Sequence, residues 1–164
     1  MIVSRVSRLD HSTASVAAAI HGVMMAAYRR EGELLGVADF PPLRRTPAQI
    51  AAAAGCFLGI TAAGALVAVV ELQAEPPAGV RIISLVVDPA HARRGLATAL
   101  LRAVAEGHAG DRITVSTGAL NRPALALYAA AGFREHSRWA TRDGILMVTL
   151  CRGTASATTD AAAD

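Results

Sequence analysis

RIISLVVDPAHARRGLATALLRAVAE, at positions 81–106, contains a buried strand, a short basic turn and an amphipathic helix, in that order. The run Ile82–Val87 is apolar and ends just before a proline, as a core strand does. The helix that begins near Arg94 has N–H groups in its first turn with no intrahelical acceptor. Gly95 carries no Cβ, so a ligand can approach the backbone closely there. The turn at residues 92–98 therefore predicts an anion-binding site at a helix N-terminus.

The residue order of this turn resembles the coenzyme-binding signature of the GNAT acyltransferases, Q/R-x-x-G-x-G/A after a strand. The matching window is Ala92–Ala97, ARRGLA, so Ala92 departs from the first position of the signature. The turn lacks a Walker lysine and does not read G-x-G-x-x-G, which argues against a nucleoside triphosphate site or a Rossmann dinucleotide site. The resemblance implies that acetyl-CoA is the co-substrate and that backbone amides of the turn hold its pyrophosphate.

A second segment carries a further signature. Asn121 opens a helix, Tyr128 follows seven residues later, and Gly132-Phe133 begins the next strand. This order is similar to the second GNAT signature, and two signatures in the correct order are much harder to obtain by chance than one. On their own, the two residues also suit a helix cap and a half-buried core tyrosine. In a GNAT enzyme, Asn121 would bond the pantetheine arm and Tyr128 would protonate the departing thiolate. The coenzyme-binding residues that the resemblance implies are Leu85, Val86, Val87, Ala92, Arg93, Arg94, Gly95, Leu96, Ala97, Thr98 and Asn121.

The order of predicted elements is one strand, two helices, three strands, a helix, a strand, a helix and two strands. Strands are predicted at 2–9, 56–61, 65–73, 80–87, 112–117, 133–141 and 145–150. The pattern predicts an α+β protein with a right-handed β-α-β crossover. The resemblance implies the GNAT acyl-CoA N-acyltransferase fold, a mixed central sheet of about seven strands with flanking helices. Residues 29–45 are predicted as a loop, with a helical turn as an alternative for part of it.

The composition limits the domain organisation and the ligands. A single domain is expected over residues 1–152, and residues 153–164 are expected to form a disordered tail because they contain no large apolar side chain. The net charge is only +3 and the 16 basic residues, all arginine, are scattered, so nucleic acid binding is not expected. Cys56 and Cys151 lack metal-ligand spacing, so no metal is expected.

Membrane insertion is also not expected. Ile50–Val70 carries no charge and is long enough to span a bilayer. Glycines interrupt it, however, and alanine supplies much of its apolar character, so two buried strands are the better interpretation. The sequence has no pattern of a signal peptide. An all-arginine basic complement indicates a GC-rich coding genome, and we expect a bacterial, cytoplasmic protein.

Acyl transfer from a thioester to an amine requires a base for the amine and a proton for the sulfur. Some GNAT relatives place a glutamate at positions that correspond here to Arg81 and Ser116, so neither carboxylate is present. Glu71 is therefore the candidate base, although a solvated surface carboxylate is the alternative. Glu31, Glu33 and Asp39 in the predicted loop are alternatives that could attract a cationic amine, and each also suits a solvated surface carboxylate.

The resemblance implies an N-acetyltransferase that transfers acetyl from acetyl-CoA directly to an amine, with no covalent enzyme intermediate. The acceptor stays open: a small amine, an amino acid, an antibiotic and a protein amino group are all compatible with the sequence. An alternative from another class is a GNAT-fold module that binds acyl-CoA without turnover, as a sensor or partner domain. A homodimer is compatible with both.

Overall fold

The computed structural model describes residues 5–153, so the predicted tail lies, apart from Gly153, outside the described residues. The strands are β1 (Val6–Leu9), β2 (Cys56–Ala62), β3 (Ala65–Ala74), β4 (Gly79–Val87), β5 (Arg112–Gly118), β6 (Arg134–Ala140) and β7 (Leu146–Arg152). The helices are α1 (Ala14–Leu35), α2 (Pro47–Ala51), α3 (Leu96–Gly107) and α4 (Arg122–Ala130). Short 3-10 turns lie at Pro41–Arg44 and Pro89–His91.

The strands form one seven-stranded sheet in the order β1-β2-β3-β4-β5-β7-β6. Only β4 and β5 run parallel, and the remaining neighbours are antiparallel. The predicted α+β class and mixed seven-stranded sheet are confirmed. The last two predicted strands pair as an antiparallel hairpin of β6 and β7, with β7 between β5 and β6, so that β6 forms the edge.

The parallel pair diverges along its length. Gly79–Ile82 pairs with Arg112–Val115, and the ladder between the two strands ends there. The next residue of β4, Ile83, is a bulge, because Ser84 pairs with Glu71 while Ile82 pairs with the adjacent Leu72. An extra residue bends a strand and increases its local twist. The carboxyl ends of β4 and β5 are therefore splayed apart.

Two apolar layers cover the two faces of the sheet. On one face, α3 buries a stripe at helical spacing, formed by Leu96, Leu100, Leu101 and Val104, against alternate residues of β3, β4 and β5. On the other face, α1 and α2 pack against β2, β3 and β4. Within β4, the side chains of Val80 and Ile82 pack in the α3 layer, whereas that of Val86, beyond the bulge at Ile83, packs in the α1 layer.

The prediction of a loop at residues 29–45 is wrong for residues 29–35, because α1 continues to Leu35. Arginine, glutamate and leucine are good helix formers, and Gly32 does not stop the helix because it is buried against Phe40. A Cβ at Gly32 would lie 3.3 Å from the Phe40 Cβ. The helix ends instead at Gly36, whose φ of 66° is the left-handed conformation of a C-terminal cap.

The uncharged stretch Ile50–Val70 folds as expected into the end of α2 and the hairpin of β2 and β3. Ala63 and Gly64 both have positive φ, 49° and 79°, which suits the tight turn that joins these two strands. Within residues 5–153, no helix is long and apolar enough to cross a membrane.

Candidate active site

The turn between β4 and α3 has an unusual backbone. Asp88 accepts a hydrogen bond from the Ala90 N–H at 2.9 Å and so fixes the end of the strand. Arg93 and Gly95 both have positive φ, 60° and 75°. Ala99 is the first residue of α3 whose N–H bonds back along the chain, to the Gly95 carbonyl at 2.9 Å. The N–H groups before it, from Leu96 onward, lie at the positive end of the helix dipole, which favours an anion.

The predicted coenzyme-binding residues of the turn are brought together, but they differ in what they can offer. Ala92, Arg93, Arg94, Gly95 and Thr98 are exposed, and Ala97 is half-buried. A Cβ at Gly95 would meet no atom within 4 Å, so its φ, and not crowding, requires glycine. Leu96 packs into the core, so only its backbone can face a ligand.

The three predicted coenzyme-binding residues of β4 also differ in how far their side chains are buried. Leu85 and Val87 are half-buried, whereas the Val86 side chain is buried against α1. All three pair with β3 along one edge of β4, and β5 has already diverged from the other edge. That second edge therefore carries backbone groups that an extended ligand can pair with, as in strand addition.

A cavity of about 310 Å³ opens beside the splayed strands. The residues around it come from α1, the 3-10 turn after it, β4, β5, α4, the loop between β6 and β7, and β7. Its lining residues are Tyr28, Glu31, Phe40, Pro41, Pro42, Ile83, Ser84, Leu85, Val115, Ser116, Thr117, Asn121, Ala124, Tyr128, Thr141, Ile145 and Met147.

Tyr128 lies on α4 and lines this cavity, with 5% of its surface exposed. Its ring packs edge-on against Phe133, with the ring centroids 5.5 Å apart. Burial raises the pKa of the Tyr128 hydroxyl well above its usual value, and the nearby Glu31 and Tyr28 add to the shift. Burial likewise raises the pKa of Tyr28 to about 12. Both hydroxyls therefore stay protonated at neutral pH and can act as donors.

Asn121 joins two parts of the site. Its Oδ1 accepts a hydrogen bond from the Ala124 N–H at 3.2 Å, which is the helix cap expected for α4. Its Nδ2 donates to Glu31 Oε1 on α1, also at 3.2 Å. Burial raises the pKa of the Glu31 carboxyl, and the hydrogen bond from Asn121 offsets part of that shift. A direct bond from Asn121 to a pantetheine arm stays a prediction.

Glu71 is not a solvated surface carboxylate. Its side chain is 6% exposed and accepts two hydrogen bonds from the Arg45 guanidinium, at 2.5 and 3.0 Å. This pairing raises the pKa of Arg45. Ser84 Oγ donates a longer bond, 3.5 Å, to the same carboxylate. Glu71 is absent from the cavity lining and its oxygens already have donors, so the geometry disfavours it as the base.

The other three acidic candidates differ in their exposure and in their distance from the cavity. Glu33 and Asp39 are exposed and pair with Arg30 and Arg44 at the surface, as a solvated carboxylate does. Glu31 alone of the three lines the cavity. Among the described residues, no three His, Cys, Asp or Glu side chains converge to hold a metal ion.

Sequence reasoning missed Tyr28 as a site residue. The spacing of Tyr28 and Glu31, three residues apart, places both on one helical face, so extending the helix through Glu31 would have revealed the pair. The contact of Glu31 with Asn121, 90 positions away, has no signal in a single sequence.

A model of the acetyltransferase (GNAT) family matches residues 20–133, a span that contains the turn, the splayed strands and Tyr128. The chain belongs to the GNAT family. UPF0157 protein YqkA from Bacillus subtilis (strain 168) is 31% identical over 140 residues, which cover 85% of this chain and 40% of that protein. The chain thus spans about two-fifths of the length of this curated relative.

Solved structures of this family share the fold. The ribosomal-protein-S18-alanine N-acetyltransferase from Escherichia coli superposes with a TM-score of 0.71 at 20% identity, covering 95% of this chain and 98% of that one. The PaiA N-acetyltransferase from Thermoplasma acidophilum, in complex with coenzyme A, gives a TM-score of 0.72 at 12% identity, covering 90% and 98%. At these identities the likeness establishes the GNAT fold alone.

Proposed function

We propose that this protein is an acetyl-CoA-dependent N-acetyltransferase that transfers acetyl directly to an amine. The observation that carries the proposal is the meeting of three features at one place. These are the free edge of β4 where β5 diverges, the left-handed turn that leads into α3, and a protonated Tyr128 in the adjoining cavity.

The coenzyme would lie along the splayed strands. Its pyrophosphate binds the N–H groups that open α3, and Arg93 and Arg94 supply positive charge from the surface. The pantetheine amides pair with the free edge of Leu85–Val87 as an added strand does. A backbone N–H on that edge polarises the thioester carbonyl. The thioester carbon then points into the cavity that Tyr128 lines.

Tyr128 supplies the proton that the leaving sulfur takes. A thiol with a pKa of about 8.5 needs only modest help to leave, so the hydroxyl accelerates departure without being indispensable. Its raised pKa keeps it protonated across the neutral range, as a donor must be. No covalent enzyme intermediate is needed, because the thioester is already activated and positioning lowers much of the barrier.

The experiment is a continuous assay of free CoA thiol in the presence of acetyl-CoA and a panel of primary amines. Amine-dependent release of CoA supports the enzyme. Coenzyme binding without turnover on any amine would instead favour the sensor or partner module, and no binding would exclude both. We also propose that the protein has no nucleic acid partner, because its arginines are scattered. A cytoplasmic location is proposed because the free Cys56 and Cys151 suit a reducing compartment.

A further inference from the structure

We propose that Glu31 binds the ammonium group of the acceptor and takes its proton, and that the acceptor is a small primary amine with an apolar body. This inference rests on the proposed function and specifies the acceptor side of the same cavity.

Glu31 lies in the wall of the cavity. Its carboxylate lines the cavity from α1, and Asn121 Nδ2 holds one carboxylate oxygen at 3.2 Å from the start of α4. None of the ion pairs formed within residues 5–153 includes Glu31. Glu71, by contrast, already has an arginine partner. A part-buried carboxylate that lacks a cation favours binding one, because the pairing offsets the cost of its burial.

The walls of the cavity combine a carboxylate with apolar side chains. Among the residues that the structure describes, Glu31 is the one aspartate, glutamate, arginine or histidine in the cavity lining. Phe40, Pro41 and Pro42 come from the turn after α1, and Ile145 and Met147 from the β6–β7 loop and β7. The carboxylate of a bound α-amino acid would lie in this cavity without a cation to pair with. The further ammonium groups of a polyamine would likewise lie there without a carboxylate to pair with. A monoamine with an apolar body satisfies both constraints.

The proton transfers balance. The bound ammonium gives one proton to Glu31, which passes it to solvent, and the neutral nitrogen attacks the thioester carbonyl to form the C–N bond. The C–S bond breaks with its electron pair on sulfur, and the sulfur takes the Tyr128 proton. The nitrogen loses its second proton, which restores the Tyr128 hydroxyl. The products are the amide, CoA thiol and one released proton.

The test compares three probe amines and three proteins. The amines are 2-phenylethylamine, L-phenylalanine, which adds one carboxylate to the same aromatic body, and spermidine, which adds positive charges. The proteins are the wild type, Glu31→Gln, and the control Glu33→Gln. The control makes the same change two residues along the same helix, at an exposed carboxylate outside the cavity. The amide oxygen that Glu31→Gln introduces can still accept the Asn121 bond, so this variant should fold.

We expect kcat/KM to be highest for 2-phenylethylamine, by roughly 100-fold over the other two amines. Glu31→Gln should lower that value by roughly 100-fold, within the range of a general base, while Glu33→Gln stays within about twofold of the wild type. The acetyl-CoA dissociation constant should be unchanged in both variants. The acid limb of the wild-type pH profile should be absent in Glu31→Gln. The ionisable groups that face this carboxylate are Tyr28 on α1 and Tyr128 on α4.

Two outcomes would overturn the inference while acetyl-CoA binding and acetylation of an amine persist. These are turnover by Glu31→Gln at the wild-type rate, and a preference for L-phenylalanine or spermidine. Failure of the proposed function itself would differ, because the wild type would then bind no acetyl-CoA in calorimetry, or would bind it without acetylating any amine.

Discussion

Replacing Tyr128 with phenylalanine removes a single oxygen atom from the cavity. The edge-on contact with Phe133, at 5.5 Å between ring centroids, does not involve that oxygen and should persist. Burial and the nearby Glu31 and Tyr28, with no hydrogen bond among the causes, account for the raised Tyr128 pKa, so within residues 5–153 we expect no buried protein group to lose a partner. We therefore expect the melting temperature of Tyr128→Phe to change by no more than about 2 °C, equivalent to roughly 0.5 kcal/mol.

The effect on turnover should be much larger. General acid catalysis typically contributes about 10²–10⁴-fold, and the low pKa of a thiol leaving group places this site at or below the lower end of that range. We expect kcat to fall by roughly 10- to 100-fold, about 1.4–2.7 kcal/mol in activation free energy, with the KM for acetyl-CoA little changed. Because burial raises the Tyr128 pKa, the wild type should show no loss of this acid below about pH 10, the ordinary tyrosine pKa.

The assay is steady-state release of CoA thiol by both proteins, with thermal melts run in parallel. Tyr128→Ala serves as the contrast, since truncating a buried aromatic ring costs about 3–5 kcal/mol of stability. Equal kcat for the wild type and Tyr128→Phe would refute the role of the hydroxyl. A fall in kcat accompanied by a matching fall in melting temperature would assign the effect to folding instead.

Two further predictions concern buried charge. Arg45→Met should destabilise the protein by about 2–3 kcal/mol, below the range for a fully buried pair because Arg45 is 23% exposed. The double variant Arg45→Met/Glu71→Leu should recover most of that loss in urea denaturation, and a double variant no more stable than the single one would contradict the reasoning. Glu31→Gln should raise the melting temperature at neutral pH, because burial raises the Glu31 pKa and the ionised form therefore opposes folding. As the pH falls, the Glu31 carboxyl becomes protonated in the folded state before it does in the unfolded state. The stabilisation by Glu31→Gln should therefore disappear below the pKa of the carboxyl in the unfolded chain, about 4.3. A difference in melting temperature that stays constant across pH would contradict this reasoning.

The sheet and the coenzyme turn could be predicted because their signals are local. Apolar runs of strand length, Gly95 before an amphipathic helix and the capping box at Thr46 each depend on a few adjacent residues. The Thr46 N–H donates to Gln49 Oε1 at 2.9 Å and the Gln49 N–H donates to Thr46 Oγ1 at 3.2 Å, so both bonds of the capping box are formed. The order of these elements then limits the fold to few topologies.

The end of α1 and the acidic residues could not be predicted because tertiary contacts decide them. Gly32 indicates a break locally, yet packing against Phe40 keeps it helical. Glu71 is indistinguishable from a surface carboxylate until Arg45, 26 residues earlier, folds over it. The Asp143-Gly144 turn shows the same limit on a smaller scale. The Asp-Gly pair predicts a type I′ turn, but only Gly144 has positive φ, so a longer loop closes there through Thr141.

The central claim is that the turn before α3 binds the pyrophosphate of acetyl-CoA, and calorimetric titration with acetyl-CoA tests it most directly. Arg94→Glu reverses an exposed charge beside the turn, and Arg8→Glu makes the same change at an exposed residue of the edge strand β1. The account predicts saturable binding by the wild type and Arg8→Glu, weakened by at least about tenfold in Arg94→Glu, or ~1.4 kcal/mol. Absence of binding by the wild type, or equal affinity of all three proteins, would contradict it.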